Sequence, residues 1–322
     1  MILSPNKDTL YDLFTNGQVA YYVGSSRELP KLQDALGKEV VRVAALPDGP
    51  IQNAGPLLQT EALMFSRASD EEETQLALRL AQFLTNVEQQ TTLGMKEIGR
   101  LPTNSRVTID ERVSPIAAAF AKQSNTAITL PLAHVSRMKE LLPSGDEVYA
   151  QVLAGIKGRN EAINQLSEEM NADYPVAVAD KESEAACAEG RIRVQHGCNE
   201  AEAKVLEEIR RRFMLRCPKS IVDIVPSDPD PTSRYVQYRD SVLQGKGPDL
   251  LIYSTNLELF TLMLSNDLVL DISELVEPTL LQSFVPQAQD AMRSNGKLYG
   301  LPLSMDVMAL YYNKEMVSEL PA

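Results

Sequence analysis

The clearest periodic signal in the chain begins at Ser69. Leu76, Leu80, Phe83, Leu84 and Val87 fall at i, i+4, i+7, i+8 and i+11, which lines one face of a helix. Ser69 followed by Glu72 has the form of a capping box, and the acidic run Asp70 to Glu73 suits the positive end of a helix. Nearer the start, Thr9 to Thr15 reads as a short helix and Gly17 as a tight turn. The apolar run Val19 to Val23 reads as a buried strand that opens into the loop Gly24-Ser25-Ser26. A second strand, 40–46, stops at the turn signal Pro47-Asp48-Gly49-Pro50, and two later helices are expected near 146–156 and 160–170.

Beyond residue 189 strands and helices alternate. A strand over 191–196 meets the turn Gly197-Cys198, then a helix over 199–212, a strand over 220–225, a helix near 233–244 and a strand over 249–254. Asn199 and Glu202 hold capping-box positions, and Val205, Leu206, Ile209 and Phe213 form that helix's apolar stripe. This β-α-β-α-β order predicts an α/β fold with parallel strands joined by right-handed crossovers. Ligands of such sheets bind beyond the carboxyl ends of the strands, which points to the loops Gly197-Cys198-Asn199 and Ser254-Thr255-Asn256. The pattern therefore divides the chain into a block over 1–171, an Ala-, Glu- and Asp-rich linker over 172–188, and a second block over 189–322.

Composition narrows the function. With 322 residues the chain is long enough for two lobes, and a net charge of −13 disfavours nucleic acid and anionic membranes as partners. The one basic cluster, Arg210-Arg211-Arg212, ends a predicted helix and reads as a solvated face. The first residues lack the basic and apolar regions of a secretory signal, so either the protein stays in the cytosol or its true N-terminus is missing; the second is expected. The three cysteines, Cys187, Cys198 and Cys217, suit one disulfide and one leftover thiol in an exported protein. A zinc site from Cys187, His196, Cys198 and Cys217 is the metal alternative, but no CxxC pair supports it, and no cofactor or metal is expected. His196 and Cys198, at a strand end before a helix, raise the rival of a Cys–His hydrolase.

Several stretches of the second block occur in an order and spacing that resemble the N-terminal part of a known family. They are Glu189-Gly190-Arg191-Ile192-Arg193-Val194-Gln195-His196-Gly197, Gly247-Pro248-Asp249-Leu250-Leu251-Ile252, Asn295-Gly296-Lys297-Leu298-Tyr299-Gly300-Leu301-Pro302 and Ala309-Leu310-Tyr311-Tyr312-Asn313-Lys314-Glu315. The family is the maltose-binding-type extracellular solute-binding proteins of ABC transporters (family 1). The first block resembles its C-terminal part, through Phe14-Thr15-Asn16-Gly17-Gln18-Val19-Ala20-Tyr21, Leu46-Pro47-Asp48-Gly49-Pro50 and Leu101-Pro102-Thr103-Asn104. The halves stand in reversed order, as in a fragment across two tandem modules or a circular permutant.

The resemblance implies a periplasmic-binding-protein type II-like fold: a parallel or mixed sheet flanked by helices, with one lobe largely complete and the second truncated. It implies a binder and not an enzyme, which traps a solute, with a carbohydrate expected, by hinge closure and presents it to ABC permease subunits in the periplasm or outside the cell. Its ligand loops map to Cys198, Asn199 and Glu200, to Tyr253, Thr255 and Asn256, to Asp306, and to Ser25, Ser26 and Arg27. Asn199 and Asn256 can pair with sugar hydroxyls, Asp306 can accept two such bonds, and Tyr253 can stack on a sugar face. Asp306 lies inside the apolar run Leu303 to Tyr312, where a carboxylate is costly unless exposed or paired. The sequence departs from the family in having no Trp, so a polar non-sugar solute stays open, as does a sensory or scaffold domain that kept the fold without the ligand. Two copies exchanging halves in a homodimer are also expected to be able to complete the module.

Overall fold

Asn6 caps the first helix, α1 (Lys7–Thr15), by accepting from the amides of Asp8 and Thr9. The chain then forms β1 (Tyr21–Ser25), a 3₁₀ turn over Ser26–Glu28, α2 (Leu29–Leu36) and β2 (Val41–Ala44). It continues through β3 (Leu57–Phe65), α3 (Glu71–Thr85), α4 (Val87–Met95), β4 (Leu101–Pro102), α5 (Pro115–Ser124) and β5 (Ile128–Thr129). Helix α6 covers 145–153, followed by α7 (Arg159–Met170). The second block supplies β6 (Gly190–His196), α8 (Glu200–Arg216), β7 (Ser220–Pro226), α9 (Pro231–Leu243), β8 (Leu250–Ser254) and α10 (Leu257–Ser265). It ends in α11 (Pro278–Gln282), α12 (Pro286–Asp290), the hairpin β9 (Arg293–Ser294) and β10 (Lys297–Leu298), and the long strand β11 (Leu301–Asn313). This computed structural model describes residues 6–49, 53–95, 99–129, 145–170, 187, 189–228, 230–254 and 257–317. The predicted linker lies outside the described residues except for Cys187.

Two features differ from the sequence reading. The cap of α3 sits one residue later than Ser69 and Glu72 suggest: Asp70 caps and Glu73 closes the box, with the Glu73 amide donating to Asp70 Oδ1 at 2.8 Å. Ser69 instead donates to Asp249 Oδ1 at 2.7 Å. Strand β3 carries no period-two signal, because it is buried on both faces for most of its length.

The main sheet runs β1-β11-β3-β8-β6-β7. β6 is parallel to β7 and β8, as the alternating pattern predicts, and β3 inserts antiparallel between β8 and β11. The sheet is thus mixed, and helices flank it over two hydrophobic cores. The larger core gathers Ala62–Phe65, the stripe of α3, Val205, Leu206, Ile209 and Phe213 of α8, and Ile192, Val194 and Ile252. The smaller gathers Phe14, Tyr22, Leu29, Leu58, Phe120, Met305, Val307 and Tyr311. Both cores draw on both sequence blocks, because β3 and β11 pass from one core into the other.

Candidate functional site: a polar seam between two cores

Strands β3 and β11 change cores at the same level. Leu58 of β3 belongs to the smaller core and Ala62 to the larger, while Leu303 of β11 belongs to the larger and Met305 to the smaller. The residues between are polar, and Glu61 and Ser304 are register partners across the pair. A run of apolar side chains is interrupted where the strands bridge two hydrophobic bodies, so the interruption marks the seam.

Two buried groups occupy it. On the side of the smaller core, Asp306 lies with Ser25 Oγ at 2.6 and 2.7 Å from its two oxygens and Ser26 Oγ at 2.8 Å from Oδ1. Hydroxyl donors thus satisfy a carboxylate that is only 6% exposed. Ser26 Oγ also lies 2.9 Å from the Gly99 carbonyl, so one proton is shared between the two acceptors. Gly99 has φ +72°, and a Cβ there would run into the Ser26 carbonyl, so this close approach requires glycine.

On the side of the larger core, Arg100 donates from Nε to Glu202 Oε1 at 2.7 Å and from Nη2 to Glu61 Oε1 at 3.2 Å. Arg27 approaches Glu61 at 3.7 Å, and Ser304 Oγ donates to Glu61 Oε2 at 3.2 Å. Burial alone would lower the Arg100 basicity, but Glu61 and Glu202 hold it above the usual range. Burial likewise pushes the Glu202 carboxyl up, and Arg100 overrides this to leave it below its ordinary value. A cavity of about 30 Å³ adjoins the network, walled by Leu84, Leu93, Leu206 and Ile209 and by the Cys198 side chain. That is room for about one water.

The sequence-derived candidates separate on this geometry. Ser25, Ser26, Arg27 and Asp306 come together at the seam, and Cys198 joins them at the cavity wall. Asn199 caps α8, accepting from the Glu202 amide at 2.9 Å. Glu200 points to solvent and pairs with Lys204. Tyr253 corrects an expectation: it is buried, its hydroxyl donates to the Pro231 carbonyl at 3.3 Å, and Arg234 covers its ring, so no face is left for a sugar. Thr255 and Asn256 lie outside the described residues.

Chemistry at His196 and Cys198 is disfavoured in physical terms. The Cys198 amide donates to His196 Nδ1 at 3.1 Å, so that nitrogen serves the backbone and not the thiol. Burial, with Glu61 and Glu202 nearby, pushes the thiol well above its ordinary range, the reverse of an activated nucleophile. Gly197 between them lies under the Arg234 guanidinium, which a Cβ would strike. The zinc alternative also falls, since Cys187 and Cys217 form a disulfide, with Cys198 left as the free thiol.

Sequence reasoning missed Glu61, Arg100 and Ser304, and read Glu202 only as a cap. Glu61 carried a usable signal, a carboxylate followed at once by the apolar run Ala62-Leu63-Met64-Phe65, the same signal that singled out Asp306.

Comparison with known proteins gives this geometry a context. Residues 2–140 match the family described as bacterial extracellular solute-binding protein. The chain resembles the maltose-binding-like solute-binding proteins of ABC transporters. Over 139 residues it is 31% identical to the maltotriose-binding protein of Pyrococcus abyssi (strain GE5 / Orsay), a stretch that covers 43% of this chain and 29% of that protein. The match thus spans under a third of that relative's length. Among solved structures, the phosphate-binding protein of a phosphate ABC transporter from Streptococcus pneumoniae TIGR4 aligns with 98% of this chain and 74% of its own, at 9% identity and a TM-score of 0.37. A nickel ABC transporter structure from Bacillus halodurans aligns with 97% of this chain and 57% of its own, at 13% identity and a TM-score of 0.35.

Proposed function

We propose that the chain binds a solute, of the carbohydrate class, at the seam between its two cores and delivers it to ABC permease subunits by closure of the two lobes. The observation that carries this reading is the shared level at which β3 and β11 change cores, with Ser25, Ser26, Arg27 and Asp306 presented from one side and Glu61, Arg100 and Glu202 from the other. Paired crossing strands suit a hinge, and hydroxyl and carboxylate groups suit a polyol. The carbohydrate class rests on the name of the maltotriose-binding relative. An extracellular or periplasmic setting is supported by the family description and by the Cys187–Cys217 disulfide, which persists in oxidising compartments. No helix among the described residues is long and apolar enough to cross a membrane.

A thermal-shift screen against maltose, maltotriose, amino acids and polyols tests the proposal, with the mass in solution recorded to reveal any exchange of halves between copies. The expected outcome is a saturable rise in Tm with an oligosaccharide. In Asp306→Asn that response should weaken by about tenfold or more, the loss of one hydrogen bond to a charged group at ~1.5–3 kcal/mol. A chain that melts cooperatively and responds to no solute would instead favour a second reading, a sensory or scaffold domain that keeps the fold without the ligand. One observation supports that alternative: the polar groups of the seam are satisfied by one another, and the cavity beside them is only about 30 Å³.

A further inference from the structure

The carboxylates of Glu61 and Glu202 share the guanidinium of Arg100, which hydrogen-bonds to both, while Arg27 approaches Glu61 only at 3.7 Å. Their relative exposures are 8% and 6%, and that of Arg100 is 5%, so three charged groups are withdrawn from water together. Such an arrangement is held only by mutual pairing, because a carboxylate left alone at this depth is strongly destabilising.

We infer that Glu61 and Glu202 form a site for a guanidinium cation, that Arg100 fills it as a tethered occupant, and that this occupant latches the seam. The site does not depend on Arg100 for its shape. Glu202 is fixed by the capping box of α8, where its Oε2 accepts from the Asn199 amide at 3.0 Å, and this leaves Oε1 turned to the guanidinium. Glu61 is fixed by its place on β3 and by Ser304 Oγ, which bonds Oε2 at 3.2 Å. Both acceptors therefore stay in position when the arginine side chain is cut back, and the apolar cavity beside them lengthens to take a short alkyl stem. The latch follows from what adjoins Arg100 in sequence. Gly99 accepts from Ser26, which also bonds Asp306 on the side of the smaller core, while Arg100 itself is bound to Glu202 on α8 of the larger. If the seam is the solute cleft, as proposed above, an incoming solute competes with Arg100 for the two carboxylates; the guanidinium site itself stands without that reading.

The experiment compares the wild-type chain with Arg100→Ala in thermal unfolding, titrated with ethylguanidinium chloride and, as controls, with ethylurea and with sodium chloride at matched ionic strength. The variant is expected to melt several degrees lower and to regain much of that loss, saturably, with ethylguanidinium alone. The wild type, its site filled, should not respond, and R100A/E202Q should lose the rescue. A variant that melts cooperatively and shows no response beyond that to salt overturns the inference, as does an equal response of the wild type. Should R100A fail to fold, R100Q, E202Q and their double variant decide: a double variant more stable than the sum of the single losses supports the pairing, and additivity overturns it. The solute screen reads out a different question, so either proposal can fail alone.

Discussion

Tyr253 and Asp306 are both buried polar residues, yet they stand differently to the seam. Tyr253 spends its hydroxyl on the Pro231 carbonyl and its ring on Arg234, and burial pushes its hydroxyl up to about 12. Asp306 instead turns its oxygens toward two serine hydroxyls, which can rotate to new partners. The titrating groups nearby make a prediction at the same scale. Burial, and then the charge of Arg234, holds the His196 imidazole below its ordinary 6.5. A depressed folded-state value means that the unfolded chain takes up the proton first. The stabilisation is therefore full above 6.5 and is lost as pH falls through the folded value. Glu202, held below its ordinary 4.5 by Arg100 against the opposing effect of burial, follows the same sign in a lower window, below 4.5. A profile of Tm against pH should fall on acidification in both windows, and His196→Gln should flatten the upper one while leaving the lower. An upper window that is unchanged in that variant would assign the drop to other groups.

At the scale of elements, the sequence pattern located α1, α3, α6–α9, β1, β2 and β6–β8, and misplaced a cap. The stripe Leu76, Leu80, Phe83 and Leu84 is buried as the spacing predicts, whereas Val87 falls beyond the Asn86 C-cap and opens α4. The choice between Ser69 and Asp70 as cap was not legible, since both have an acidic residue three positions on. Asp249, reached only through the tertiary fold, draws the Ser69 hydroxyl away and leaves the cap to Asp70. In native-state hydrogen exchange, Asp70→Ala should release the Glu73 amide and cost about 1 kcal/mol of stability, a usual value for a lost N-cap. Ser69→Ala should leave that amide protected. Equal loss of protection in both variants would contradict the assigned cap. The parallel trio β7-β6-β8 came from the βαβ alternation, but β3 was missed because continuous burial erases the two-residue period by which a strand is recognised.

At the scale of the whole molecule, two strands are shared by two cores. β3 contributes Leu58 to the smaller core and Ala62–Phe65 to the larger, and β11 does the same with Tyr311 and Leu301. Melting either core releases a strand from the other, so the cores are coupled through covalent continuity as well as through the seam. Leu58→Ala and Ile192→Ala, one in each core, are each expected to cost ~2–5 kcal/mol. Both should shift one common transition, followed by far-UV circular dichroism and by tyrosine fluorescence, which is usable because the chain has 11 Tyr and no Trp. Two separated transitions, with each variant moving only its own, would show that the cores unfold independently.

Local pattern determined the amphipathic helices and the parallel β7-β6-β8 trio, because periodicity and turns are interactions between near neighbours, but not the buried strand β3. Net charge disfavoured nucleic acid and anionic membranes as partners, and the order of short stretches carried the family resemblance. The pairing of Cys187 with Cys217 and the meeting of Ser25 and Ser26 with Asp306 across the sheet belong to the tertiary structure. So does the closure of Glu61, Arg100 and Glu202 around one charge. Those residues lie 39 and 102 positions apart along the chain, and no periodicity records which distant carboxylate a buried cation will find. Only the folding of two cores onto shared strands brings them to one seam.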